Sequence, residues 1–316
     1  MSENVQALQA IALLGDAQAQ LQLAVCYAQG DGVERNNAMA FSWVCKAAEN
    51  GSEDAAKYVL SAYDKGEKEL GVQPDLDKLV EWADKLSAAG RNAGRYYYAH
   101  LWMKEIARDR IKPLEAFSRA AKGADEEDLR CMVVACYLGG MIAEAYYNNQ
   151  LIDDAFSTLK SMIRWIEKID QMEASISDDI KAATWYLYGR CLQAKGQKAE
   201  AMQWFKRAMP WNVNAEIRYA VRLGANTEQT KDSSLYREMV SHLLNAVNSN
   251  KTKEKELEAA AYEVLALMAR EGGGGMNVDM DASYQWTCRA AELGNEEAKQ
   301  DLPRYHKKLF GGYSYK

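Results

Sequence analysis

Residues Ala19–Gly51 read AQLQLAVCYAQGDGVERNNAMAFSWVCKAAENG, and the skeleton of this stretch returns along the chain. Its fixed points are Ala19, Leu23, Ala24, Tyr27, Gly30, Gly32, Val33, Ala40, Trp43, Lys46, Ala47, Ala48 and Gly51. A second copy keeps Ala55, Val59, Leu60, Tyr63 and Gly66, then Leu79, Trp82, Lys85 and Gly90. Near the C-terminus Gly273, Gly275, Met276, Asp279, Ser283, Trp286, Arg289, Ala290, Ala291 and Gly294 repeat the second half. Inside the first copy the apolar residues follow the 3.6-residue helical period up to Gly30. The segment GDGVERN breaks that helix, a second runs from about Asn37 to Glu49, and Gly51 ends it. One such hairpin cannot bury its apolar faces alone, so each must stack on the next.

Closing residues near 51, 90, 124, 168, 212, 250 and 294 divide the chain into about seven hairpins. The intervals of roughly 34 to 44 residues are those of helical repeats. Asn212 and Asn250 stand where a glycine would close a unit, and asparagine tolerates the left-handed conformation. The acidic run Asp125–Asp128 reads as the first turn of a helix, and Tyr137 as a core residue equivalent to Tyr27 and Tyr63. Residues 3–14 suit an N-terminal capping helix and 295–310 a C-terminal cap, with GGYSYK as a frayed tail.

The skeleton resembles the Sel-one-like repeat (SLR), a relative of the tetratricopeptide repeat. The fifth unit, WYLYGRCLQAKGQKAEAMQWFKRAM, is closer to a tetratricopeptide unit. The resemblance implies an all-α fold, a right-handed α/α superhelical solenoid spanning residues 1–316 as a single repeat domain.

The composition agrees with a packed helical protein. Of the 316 residues 48% are hydrophobic and only four are proline. A net charge of −6 argues against a nucleic-acid binder, which needs a basic stripe to displace counterions from phosphates. The N-terminus has no basic region ahead of an apolar run, and no window approaches ~18 consecutive apolar residues. Neither a secretory leader nor a membrane span is expected. The six scattered cysteines suit free thiols in the cytoplasm.

Chemistry-bearing motifs are few. His100, His242 and His306 lie in different units, outside any metal-ligand spacing, and no cofactor motif is present. GGGG at 272–275 lacks the Lys-Ser/Thr of a phosphate loop and sits where a repeat turn belongs. Ser157-Thr158-Leu159-Lys160 matches the SxxK of penicillin-binding proteins, but no SDN or KTG accompanies it. Some SLR proteins are described as penicillin-binding, so the resemblance leaves a peptidoglycan or β-lactam hydrolase as the alternative reading.

The resemblance mainly implies a non-catalytic scaffold binding a protein or peptide: an adaptor, a signalling regulator or the cognate immunity partner of a bacterial toxin. In this family the first helices of successive hairpins line a concave groove. Carried over by register, Leu23, Ala24 and Tyr27, Tyr98, Ala99 and Trp102, and Tyr188, Gly189 and Leu192 become core positions. Tyr96, His100 and Lys104 in the third unit, with Tyr186 and Arg190 in the fifth, become the expected partner-binding residues. Lys57, Asp64, Glu263 and Arg270 take the same offset in the second and seventh units.

Overall fold

The computed structural model describes residues 1–107, 109–230, 233–252, 254–273, 275–309 and 311–316, with the side chains of 225–230 and 233 left aside. Among these residues the chain is an all-α solenoid of sixteen helices followed by one small β-hairpin. Helix α1 (Glu3–Leu13) comes first. Pairs then follow in order: α2 (Ala17–Gln29) and α3 (Asn37–Glu49), α4 (Glu53–Lys65) and α5 (Leu76–Ala88), α6 (Asn92–Met103) and α7 (Pro113–Asp125). Next come α8 (Leu129–Asn148) and α9 (Ile152–Gln171), α10 (Asp178–Ala194) and α11 (Lys198–Ala208), and α12 (Val213–Thr230) and α13 (Ser233–Asn248). The last pair is α14 (Lys255–Glu271) and α15 (Met280–Glu292), with the short α16 (Glu296–Asp301) behind it. The polar run NTEQTKDSS at 226–234, whose composition suits a long connection, lies partly outside the described residues, and so does one glycine of the run 272–275. The backbone of 226–230 is helical.

The chain divides into two compact units. The first holds Met1–Ile142 and Arg164–Ser175; the second holds Ala143–Ile163 and Ile176–Lys316.

Local chemistry explains where the helices start and stop. Asp16, Asn36, Ser52, Asp75, Asp279 and Asn295 each accept a backbone N–H from the first turn of the helix that follows. Such caps satisfy donors that the helix itself leaves unpaired. The turn inside a hairpin recurs with one geometry. Gly30, Gly66 and Gly272 end the first helix at positive φ. The carbonyl three residues earlier then receives the N–H of the next helix cap: Asn36 to Tyr27, Asp75 to Tyr63 and Asp279 to Ala269, each at 2.8 Å. Gly32 has a separate duty. A Cβ there would lie 2.4 Å from Ser2 Oγ and 2.8 Å from Val5 Cγ2, so its bare backbone admits α1 against the first turn.

Between hairpins, Gly51, Gly90 and Gly294 take positive φ, as a helix terminator requires, and Gly196 does so inside the α10–α11 hairpin. Where the glycine is missing, the chain uses Glu127 (φ 65°) and Glu173 (φ 55°) between hairpins and Gln150 (φ 63°) inside the α8–α9 hairpin. This corrects several expectations. The acidic run does not open a helix as a block: Asp125 ends α7, Glu127 is the left-handed residue, and Asp128 caps α8 by accepting from Cys131 N. Asn250 adopts φ 52°, whereas Asn212 caps α12 through its side chain, accepting from Ala215 N.

The core is built from small residues at close helix approaches and aliphatics between them. Ala47, Ala48, Ala55 and Ala56 are almost fully buried, as are Leu23, Val59 and Leu60. Trp43 is 3% exposed, but Trp82, Trp204 and Trp286 at the matching position are only half-buried. Tyr137 is 42% exposed and Leu138 is buried, so the repeat register slips in α8. Helix α8 is long and apolar enough to cross a membrane. Those properties also suit a core helix, and Cys131, Met132, Ala135, Cys136, Leu138 and Ala143 are all buried.

The C-terminal tail is ordered rather than frayed. Tyr305–Lys307 (β1) pairs antiparallel with Tyr313–Tyr315 (β2). Tyr313 stacks on Tyr284 with ring centroids 3.8 Å apart, and its N–H donates to Asp281. The buried Tyr305 hydroxyl bonds Ser283 Oγ at 2.7 Å and Thr287 Oγ1 at 3.1 Å. The cap expected at 295–310 is therefore a six-residue helix plus an aromatic hairpin.

Candidate functional site

On α6, Tyr98, Ala99 and Trp102 are buried, as the inherited register requires. Tyr96 and His100, one helical turn apart, then share a half-buried stripe on another face. Their rings stack at 5.2 Å with 26° between planes, and Tyr97 meets Tyr96 edge-on at 5.4 Å. The guanidinium of Arg130 on α8 lies 5.2 Å from the Tyr96 ring centroid and pairs with Asp128 and Glu53. His100 Nδ1 is buried and has no hydrogen-bond partner. Burial, reinforced by the positive charge of Lys104 and opposed by Asp64, holds the imidazole below its usual pKa. Lys104 sits just past the end of α6 and is exposed. Lys57 on α4 is engaged by Asp54 at 3.2 Å. The first unit thus offers a neutral aromatic strip flanked by exposed charge, suited to contact with an aromatic or apolar side chain.

In the second unit, Tyr188, Gly189 and Leu192 of α10 are buried. Tyr186 and Arg190 lie one turn apart, but Tyr186 is only 7% exposed. Its hydroxyl donates to Glu254 Oε1 and accepts from Arg218 Nε at 2.8 Å. Arg218 also donates through NH2 to Glu254 Oε2 at 2.8 Å, and Asn214 Nδ2 donates to Oε1 at 3.3 Å. Arg190 completes the ring at 3.5 Å from Oε1, with its guanidinium 4.3 Å from the Tyr147 ring centroid. Burial alone would raise the pKa of Glu254. The Tyr186 hydroxyl and the charges of Arg218 and Arg190 outweigh it and hold the carboxyl below its usual range. Tyr186 is therefore a buried polar anchor rather than the open groove residue expected, and its loss must affect folding as well.

Arg218, Asn214 and Glu254 escaped the sequence reading. The repeat register is lost in the sixth unit, and nothing local marks a glutamate before a helix as the centre of a five-residue cluster. Farther along, Glu263 accepts from Asn295 at 2.8 Å, and Arg270 pairs with Asp301 at 2.9 Å. Ser157 and Lys160 of the SxxK motif are both exposed on α9.

The Sel1 repeat model matches residues 17–52, 180–208 and 259–295. Those three stretches are similar to the Sel1 repeat and together span about a third of the chain. They coincide with α2–α3, α10–α11 and α14–α15, so the hairpin whose spacing resembles a tetratricopeptide unit also matches the Sel1 repeat. Sel1 repeat proteins generally act as protein-interaction scaffolds, and the fold is typically non-catalytic. No curated protein matches the chain in sequence. Among solved structures, a Sel1 repeat protein from Oxalobacter formigenes is 21% identical with a TM-score of 0.41, over 95% of this chain and 79% of that one. A protective antigen present in uropathogenic Escherichia coli strains, displaying an SLR fold, is 16% identical with a TM-score of 0.34, over 95% and 82% of the two chains.

Proposed function

We propose that this Sel1 repeat protein is a non-catalytic scaffold that docks a protein or peptide on the exposed faces of its first helices. The finer role we assign is that of a bacterial cytoplasmic adaptor, regulator or immunity partner. The observation that carries the reading is the Tyr96–His100 stack. Tyrosine is a frequent interface anchor, and the half-buried Tyr96–His100 pair presents two stacked rings at the surface of α6. Lys104, exposed just past α6, belongs to the same proposed face, whereas Tyr186 and Arg190 of the second compact unit are proposed as a separate contact that opens only if Glu254 is displaced. The reducing cytoplasm suits six cysteines that form no disulfide.

The test is affinity capture with the whole chain, followed by titration of the captured partner against wild type and a Tyr96→Ala/His100→Ala variant. The expected result is an unchanged helical spectrum and a loss of affinity of at least about tenfold. Unchanged affinity in a folded variant would remove this face from consideration.

A further inference from the structure

The Glu254 cluster holds more hydrogen-bonding capacity than Glu254 uses. Asn214 is 8% exposed, yet its Oδ1 has no partner, and neither does the buried Nε of Arg190. A polar knot serving only stability is ordinarily satisfied throughout, because each unpaired buried group costs free energy. Here an acceptor and a donor are left over beside a bound carboxylate. Those are the groups that the backbone N–H and C=O adjoining a peptide carboxylate would engage. Glu254 also forgoes the usual duty of its position. It sits at the N-cap of α14, but its side chain makes no cap bond and reaches instead to α10 and α12.

The surroundings match in charge. A cavity of about 210 Å³ adjoins Arg218, walled by Phe205, Val221 and Leu257 and edged by Lys198 and Arg222. Among the described residues lining it none is acidic. In a chain of net charge −6, this is a local excess of cations around an apolar hollow.

We propose that Arg190, Arg218, Tyr186 and Asn214 form a receptor for a peptide carboxylate, occupied in the free chain by Glu254 and taken over by an acidic segment of the partner. Two guanidinium groups, a hydroxyl and an amide converge on one carboxylate, a donor set matched to that anion. The adjoining hollow would take the apolar side chain next to it. The inference rests on the interaction-scaffold reading and adds the chemistry of the partner. Self-occupancy lowers apparent affinity by the fraction of time the site is open.

Two experiments on the full chain test this. In the first, thermal unfolding of Glu254→Ala is followed in sodium acetate and in sodium chloride of equal ionic strength. Acetate should raise the midpoint saturably above chloride in the variant and leave wild type unmoved. In the second, a fluorescent peptide of alternating glutamate and leucine is titrated by anisotropy, against a control with glutamine for glutamate and an amidated C-terminus. Glu254→Ala and the isosteric Glu254→Gln should each bind the acidic peptide at least about tenfold more tightly than wild type. Adding Arg218→Gln to Glu254→Gln should abolish that gain, and the control should bind all forms equally.

If Glu254→Ala fails to fold, the Glu254→Gln titration decides alone. Equal effects of acetate and chloride together with no gain for the acidic peptide would overturn the proposal. So would an equal gain for the control peptide, which would mark the hollow as merely apolar. Failure of both arms, with partner affinity still lost in Tyr96→Ala/His100→Ala, sinks the receptor and leaves the scaffold reading standing. Success of both arms with partner affinity unaltered in that double variant leaves the receptor and removes the α6 site.

Discussion

Single residues carry most of what can be tested directly. Trp43, on α3, is only 3% exposed. Trp43→Ala is expected to cost about 3–5 kcal/mol by chemical denaturation, as for other large-to-small core changes. Glu173 shows the opposite case, a residue that fits its position poorly. It holds φ 55° on an exposed turn where other hairpins place glycine. The left-handed conformation costs a side-chain-bearing residue roughly 1–2 kcal/mol, offset by the greater freedom of glycine in the unfolded chain. Glu173→Gly should therefore stabilise by about 0.5–1 kcal/mol, read as a rise in the denaturation midpoint.

His100 links structure to pH. Its folded pKa lies below the ordinary histidine value, so between the two values the unfolded chain binds more protons. Stability is then fully present above about pH 6.5 and is lost as pH falls through the depressed folded value. His100→Gln should flatten the dependence of the unfolding midpoint on pH in that window. An unaltered slope would place the imidazole in a wetter setting than its surroundings indicate.

Elements meet where the sequence has removed side chains. Gly94 lies on α6 against the end of α5, and a Cβ there would fall 2.4 Å from Ser87 N and 2.7 Å from the Leu86 carbonyl carbon. Those neighbours are backbone and cannot rotate away, so α5 and α6 would have to separate. Gly94→Ala should destabilise by about 1–3 kcal/mol despite the higher helix propensity of alanine. A neutral or stabilising result in a thermal melt would show that the two helices do not approach so closely. The C-terminal hairpin is held to α15 by its aromatics, with the Tyr305 hydroxyl shared between Ser283 and Thr287.

For the molecule as a whole, repeat architecture makes stability a sum of local and nearest-neighbour parts. Trp43→Ala should speed amide hydrogen exchange in α2 to α5 and leave the amides of α14 and α15 near their wild-type protection. Uniform loss of protection along the chain would mean that the repeats unfold as one cooperative block. Acid should act through Glu254. Its carboxyl is held below the usual range, so its contribution is present above about pH 4.3 and is lost as pH falls through the lower folded value.

The repeat period, the helical spacing and the turn glycines determined the hairpins from sequence alone, because helix propensity, capping and left-handed turns are local chemistry. Boundaries such as Asn37–Glu49 and core positions such as Leu23, Tyr98 and Leu192 follow from residues within a few turns of each other. Tertiary packing decided the rest. Tyr186 becomes buried because Glu254, sixty-eight residues away, reaches its hydroxyl. Tyr137 turns outward because Leu138 takes the core position in α8. The final GGYSYK is ordered because Tyr284 and Asp281 of α15 receive Tyr313. No local pattern encodes contacts at such separation; they exist only once stacked helices bring those side chains within bonding distance.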